Sequence, residues 1–596
     1  MPVGPRGAPY DFCMSPRRVR RTRLVLYALG AVLVAWMAVV AVTLWNVRES
    51  TRRGIDRLEE ARDVLSPRAV ANGDGQPELR QARGDFDDAH AGVRAPWIAP
   101  LRILPVVGRQ VRSVDSLTGA ARDVVDTGLD AMEQSQRALA SEPADGPARV
   151  ELADRLSAVA RTATARLETV DLGPDNALVG PLHDARNRFA TELARIDDAA
   201  ARLRDASSAF SGLLRGPSRY LVLAANNNEM RTGSGMFLSA GVLEIDDGVL
   251  DVSDFTPTGE LALPAGAVQI SGDFADRWGF QHPSQEWRNL ASSPVFPVQG
   301  ELATRMWKAK TGEDVDGVIV LDPIALQRVL EVTGPVVVEG KQYTHENVLD
   351  EIYVRQYIGL TGSRENAARR DHLSDVASAT LGQLNTQGWS AADLVESLRR
   401  AAAGRHVLAW SRDERQQRGW AAAGLAGALA ESSLMIGVDN AGGNKLDRFL
   451  DIDAALEVDP RDDGVHTEVD VMLDNVAPPG LPQYVEGPLP GLEGSVAGSY
   501  RGLLVLQMPG GSRDVQVLDG AGRVLRPAVL GRDGANETVA VPFDLPRGAS
   551  AAFTVRFVGP GELDRFRIEP SARYPAVHWR YGTREWDDTR EVTVSW

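Results

Sequence analysis

Arg219-Tyr-Leu-Val-Leu-Ala-Ala225, followed at once by Asn226-Asn-Asn-Glu-Met-Arg-Thr-Gly-Ser-Gly235, marks a change in the chain's grammar. An apolar run of this length, bounded by turn residues, reads as a buried strand. Met236–Ile245 reads as a second strand, and Asp246-Asp247-Gly248 turns it into Val249–Ser253 as a hairpin. Downstream, a helical pattern around Val298–Lys310 precedes a strand at Asp316–Asp322. A helix through Ala325–Val332 leads to Gly334-Pro-Val-Val-Val-Glu339. Amphipathic helices cover Glu346–Tyr357, Glu365–Leu384 and Ala391–Ala402, before a strand at His406–Trp410. Strands alternating with helices predict a central α/β domain over 217–449.

Beyond residue 450 the helical signal disappears. Leu450–Val458 and His466–Leu473 alternate with period two, and shorter runs of that kind continue to Val592–Val594 between Gly and Pro turns. That patterning predicts a β-sandwich over 450–596. Toward the N-terminus, 46–216 is almost free of strand signals. Leu182, Phe189, Ile196, Leu203 and Phe210 recur every seven residues, which fits a helical stalk or bundle, with a coiled-coil partner site as the functional alternative. Earlier still, Leu24–Trp45 contains no charge. As a helix it reaches roughly 33 Å, enough to cross the hydrocarbon of a bilayer. Arg17, Arg18, Arg20, Arg21 and Arg23 precede it, so residues 1–23 are expected in the cytoplasm, with the span at 24–45 and everything later outside the plasma membrane. A cleaved signal peptide would have a shorter apolar region and a small-x-small site, and VTLWNVRES supplies neither.

Charge and composition exclude several function classes. Removing the six arginines and one aspartate before residue 46 from the chain's 65 Lys+Arg and 81 Asp+Glu leaves a net charge of −21 over 46–596. A nucleic-acid partner requires a basic footprint, so none is expected. The only cysteine, Cys13, precedes the span, so the outer part must rely on packed cores without disulfides. The eight histidines lack metal-ligand spacing, and no metal site or cofactor is expected. Gly233-Ser234-Gly235 reads as a glycine turn and not a nucleophile elbow, since nothing nearby marks a base.

What remains is the polar loop itself. Loops at strand ends of α/β sheets commonly bind ligands. Asn226, Asn227, Glu229 and Arg231 combine amides, a carboxylate and a guanidinium beside permissive glycines, a set suited to a phosphate or a sugar. Arg355, Arg364, Arg369 and Arg370 form an arginine-rich stretch in an otherwise acidic region. Arg355, Arg369 and Arg370 are therefore candidate ligand-binding residues with the loop. Solvated helix faces paired with Glu365 and Asp371 are the competing reading.

Tyr220–Phe237 resembles the signature of the domain-of-unknown-function family four-thousand-twelve, found in membrane-anchored bacterial envelope proteins. Asp316–Pro323, Thr333–Val336, His406–Ser411, Asp439–Lys445 and Asn475–Pro478 extend that resemblance over roughly 218–500. The order strand, polar loop, hairpin, helix, Asp-x-x-Val strand, helix, Gly-x-Val and Arg-rich helix is similar to the LytR-CpsA-Psr proteins. Those are membrane-anchored extracellular enzymes that hold a polyprenyl pyrophosphate with arginines and attach glycopolymers to the cell wall. The resemblance implies a LytR-CpsA-Psr-like α/β fold. It puts Arg231 in the first phosphate-binding loop and Arg355, Arg369 and Arg370 in the later cluster. Where that family carries carboxylates, this chain has Thr232-Gly-Ser234 and Phe255-Thr-Pro-Thr-Gly259, which removes the obvious magnesium ligands. The expectation is an accessory protein of envelope assembly that binds a polyprenyl-phosphate-linked ligand or cell-wall glycan. An active glycopolymer transferase using Mg and a purely structural stalk are the alternatives.

Overall fold

A computed structural model describes residues 16–64, 66–358, 375–385, 388–488 and 496–596. Helix α1 (Pro16–Val64) contains the whole apolar stretch and continues past it, since no proline interrupts 17–64. Among the described residues one helical stretch, Ala31–Arg62, is long and apolar enough to cross a membrane. Helices α2 (Pro67–Asn72), α3 (Gln76–Val93), α4 (Val107–Leu139), α5 (Gly146–Leu167) and α6 (Gly180–Arg215) follow. The chain divides into two compact units: 1–65 with 73–133 and 162–198, and 66–72 with 134–161 and 199–596.

In the first unit α3 runs antiparallel to α1, and glycines set how closely the two approach. A Cβ on Gly92 would lie 2.7 Å from Val47 Cγ2, and one on Gly54 would lie 2.8 Å from Phe86 Cζ. Val40, Val47, Ala89, Val93, Ala95, Ile98 and Val111 close a small core there. The seven-residue stripe of α6 is not fully covered. Ile196 and Leu203 are 41% and 59% exposed, so the period in the sequence does not translate into a buried seam along the whole helix.

The second unit contains the strands. β1 (Ser218–Asn226), β2 (Met236–Asp246), β3 (Val249–Val252), β4 (Thr256–Pro257) and β5 (Gly317–Leu321) arise where apolar runs end in turn residues. The pair β6 (Val336–Val338) and β7 (Lys341–Tyr343) forms a separate two-stranded hairpin, and β8 (Val407–Ser411) completes the first sheet. That sheet has the order β3-β2-β1-β5-β8, with β4 beside β2. β1 and β5 are parallel, while β2 and β8 run antiparallel to their neighbours. Helices α7 (Gly272–Trp278), α8 (Phe296–Thr311), α9 (Pro323–Thr333), α10 (Val348–Tyr353), α11 (375–385), α12 (Ala391–Ala403) and α13 (Glu414–Ala422) surround it. The helix expected over Glu346–Tyr357 ends at Tyr353 and continues as a short 3-10 turn, Arg355–Tyr357.

The C-terminal region is β-rich. One six-stranded sheet has β10 (Leu450–Arg461) and β11 (Gly464–Asn475) at its centre. A second is built around β9 (Ser433–Asn440) and β12 (Tyr500–Met508). Side chains from both sheets, including Ile436, Leu456, Val471, Leu506, Phe557 and Trp579, belong to one hydrophobic core. β9 lies before residue 450 yet is a central strand here. All eight of its residues are buried, so it lacks the alternation that a one-sided strand displays. Val505, Val529 and Ala540 turn the other way and pack with Leu221, Leu223 and Phe237 of the first sheet.

Candidate functional site

The geometry of the site follows from strand register. Ala224 pairs with Leu321 in parallel, and Leu321 pairs with Val407 in antiparallel fashion. The end of β1, the end of β5 and the start of β8 therefore meet at one edge, bringing Asn226, Asn227, Asp322 and His406 together. Asp322 N-caps α9, its Oδ1 accepting from the Ile324 and Ala325 amides at 2.9 Å. Its other oxygen accepts from Asn227 Nδ2 at 3.0 Å and lies 2.6 Å from His406 Nδ1. The Tyr353 hydroxyl donates to Asn227 Oδ1. Burial, with Asp322 close by, holds that hydroxyl well above its ordinary pKa, so Tyr353 stays a donor.

The polar groups of the loop are bonded largely to distant parts of the protein. Asn226 Nδ2 donates to Glu229 Oε1 at 2.9 Å, and Glu229 is ion-paired with buried Lys445. Asn228 Nδ2 donates to the Tyr353 carbonyl, and the Arg448 amide donates to Asn228 Oδ1. The Arg231 guanidinium donates to Asn289 Oδ1 at 2.8 Å and to the carbonyls of Met230 and Asn440 at 3.0 and 2.6 Å. Thr232 donates through both its amide and its hydroxyl to Asp439 Oδ1. Burial raises the Asp439 carboxyl pKa, opposed by Arg231, Gln281 and Thr232. These bonds join the loop to the β-rich region. They occupy Arg231 with protein acceptors, an arrangement that the loop's composition alone does not reveal.

Beside this network lies a partly open cavity of about 210 Å³. The sheet face supplies Val222, Ala224 and Leu321. Helix α9 supplies Ala325, Leu326 and Val329, α11 supplies Ala377, Leu381 and Leu384, and α12 supplies Leu394 and Leu398. The walls are overwhelmingly apolar. Asn226, Ser239, Asp322, Gln356 and Thr380 are the polar exceptions, and Tyr357 carries a hydroxyl. An apolar chamber with a few convergent polar groups is the usual form of a small-molecule site.

Of the residues singled out from the sequence, Asn226 lines this cavity. Asn227 and Glu229 form part of the hydrogen-bonded edge next to it. Arg355 stands on the turn whose next two residues, Gln356 and Tyr357, are in the cavity wall. Its side chain is 61% exposed and its Nη1 is 3.6 Å from Glu351. Arg364, Arg369 and Arg370 lie outside the described residues. The sequence reading does not single out Asp322, His406, Tyr353 or Lys445 as site residues. Asp322, His406 and Lys445 fall inside the motifs that carry the family resemblance, which is the one signal that pointed to them.

Residues 215–357 match the model of the family described as Protein of unknown function (DUF4012). This segment is assigned to that family, and it includes β1, the polar loop, β5, α9, α10 and Arg355. No curated protein matches the chain, and no solved structure does.

Proposed function

We propose that the protein is a membrane-anchored component of the bacterial cell envelope whose α/β region binds a polyprenyl phosphate or a glycan carried on one. In this reading the hydrocarbon chain occupies the apolar cavity and the phosphate lies at its rim beside Arg355. The N-terminus is cytoplasmic, α1 crosses the plasma membrane, and the large remainder, ending in a two-sheet β-sandwich, lies outside. The observation that carries the proposal is the cavity. Its apolar lining suits a hydrocarbon chain, and burying such a chain yields roughly 25 cal/mol per Å². An exposed arginine on the adjoining turn then supplies charge-assisted hydrogen bonds to a phosphate.

Asp322 and His406 have a defined part in this account. They pin the three strand ends and so hold Asn226 at the cavity wall; neither is required to exchange a proton. Arg369 and Arg370, close in sequence to Arg355, are proposed to complete the phosphate contacts. The test is binding of a short-chain polyprenyl phosphate and of the matching free alcohol to the full chain in nanodiscs. Arg355→Ala should weaken the phosphate by about 10- to 150-fold, as expected for loss of about 1.5–3 kcal/mol, while leaving the alcohol unchanged. Equal affinity of wild type for both compounds would reject the phosphate assignment.

A further inference from the structure

The first helical unit carries an apolar feature that ligand binding does not use. Helices α3 and α4 are joined by Arg94–Val106, and within this connection the 3-10 turn Ala99–Ile103 forms a tip. Ile103 is 83% exposed and Val106 70%, with Trp97, Leu104 and Val107 between 40% and 48%. In water this would be an unfavourable concentration of bare aliphatic surface.

The tip lies against α1 at the level of its apolar stretch. Trp36 Nε1 donates to the Trp97 carbonyl at 2.9 Å, and Trp97 Nε1 donates to Thr43 Oγ1 at 2.9 Å. Ile98 is buried against Val40 and Val47. Trp36 is nine residues before Trp45, so contacts reach about 13 Å below the outer end of the apolar stretch at 1.5 Å per residue.

The backbone of the tip is also suited to a medium without water. Pro96, Pro100 and Pro105 have no N–H to satisfy. The amides of Ile98, Leu101, Leu104 and Gly108 are bonded to carbonyls within the same segment at 2.7–3.2 Å. Backbone polar groups next to hydrocarbon must be satisfied within the protein, and these four are. Arg102, the one charged residue between 95 and 108, turns its Nη2 back to the Val93 carbonyl and to Asp115, 3.3 Å away.

We infer that the α3–α4 tip is a second membrane element, a re-entrant wedge that places Ile103, Leu104 and Val106 among the lipid chains of the outer leaflet beside α1. This rests on the reading of α1 as a membrane span. It implies that the protein is held at the bilayer by two adjacent elements, so the helical unit cannot swing freely about a single anchor.

The test uses the full chain with Cys13→Ala, reconstituted in vesicles whose acyl chains are brominated. A fluorophore is attached in turn to Ile103→Cys, Val106→Cys, Val39→Cys on the exposed apolar face of α1, and Val524→Cys in the β-rich region. Positions 103 and 106 are expected to be quenched as position 39 is, with position 524 unaffected. Quenching at 39 without quenching at 103 and 106 overturns the wedge and leaves the span intact. Absence of quenching at 39 overturns the span, and the wedge with it.

Discussion

Glu229 and Lys445 form an ion pair in the interior, with side chains only 11% and 5% exposed. The Lys445 ammonium also sits 5.3 Å from the ring centre of Tyr357 and 5.2 Å from that of Tyr484. Tyr357 belongs to the cavity wall, so this pair links the polar loop after β1 to the chamber beside it.

Breaking one half of a buried pair leaves an uncompensated charge, which typically costs about 3–5 kcal/mol. Glu229→Gln and Lys445→Met should each lower stability by that order. The double variant should lose clearly less than the sum. Burial pulls the Lys445 pKa down, but Glu229 and the two tyrosines outweigh it and hold the pKa above the ordinary value. The stabilisation carried by the Lys445 charge is therefore present through neutral pH and is lost as pH rises through that elevated pKa. Denaturant melts of the single and double variants at neutral pH check the energies.

Arg231 is predicted to act on folding before it acts on any ligand. Its guanidinium serves Asn289, Met230 and Asn440, and Arg231→Ala strips all three acceptors. Hydrogen bonds to charged groups contribute about 1.5–3 kcal/mol each. A drop in stability of about 3 kcal/mol is expected, well beyond that of Arg355→Ala, whose side chain is mostly in solvent. Comparable melting of the two variants would contradict this placement.

Asp588 makes stability depend on pH. It is buried and accepts from the Val577 amide and from the Ser571 amide and hydroxyl, yet burial outweighs these donors and raises its carboxyl pKa to about 7. The folded state then binds more protons than the unfolded state between about pH 4 and 7. Stability from this group accordingly falls as pH rises through that window. Asp588→Asn should flatten the slope of unfolding free energy against pH there, whatever its effect on absolute stability. An unchanged slope would show that Asp588 ionises normally.

Much of the fold was legible because its physics is local. The apolar run to Ala225, the Asp-Asp-Gly hairpin turn and the alternation of Leu450–Val458 each specify their own element, and each appears where expected. β9 was not legible, since burial on both faces removes the periodicity that marks a strand. The candidate site was legible only in part. Asn226, which lines the cavity, was visible as a polar residue after a strand. Nothing local indicates that the Arg231 side chain is spent on carbonyls as far away as Asn440. Nor does it show that leucines of α9, α11 and α12 leave a chamber unfilled. Cavities and long-range hydrogen bonds depend on register and packing between distant segments, which single-sequence patterns do not encode.

The cavity beside β1 is proposed to take a hydrocarbon chain. The most direct measurement is photo-crosslinking of the full chain in nanodiscs with a polyprenyl phosphate carrying a photoreactive group near its hydrocarbon end, mapped by peptide mass spectrometry. Adducts are expected on Leu326, Val329 and Leu381, competed away by unlabelled polyprenyl phosphate. They are expected to be lost in Ala377→Phe, which fills the chamber, with melting behaviour retained. Adducts confined to α1 or to the outer surface, or adducts in the cavity peptides that survive Ala377→Phe unchanged, would contradict the proposal.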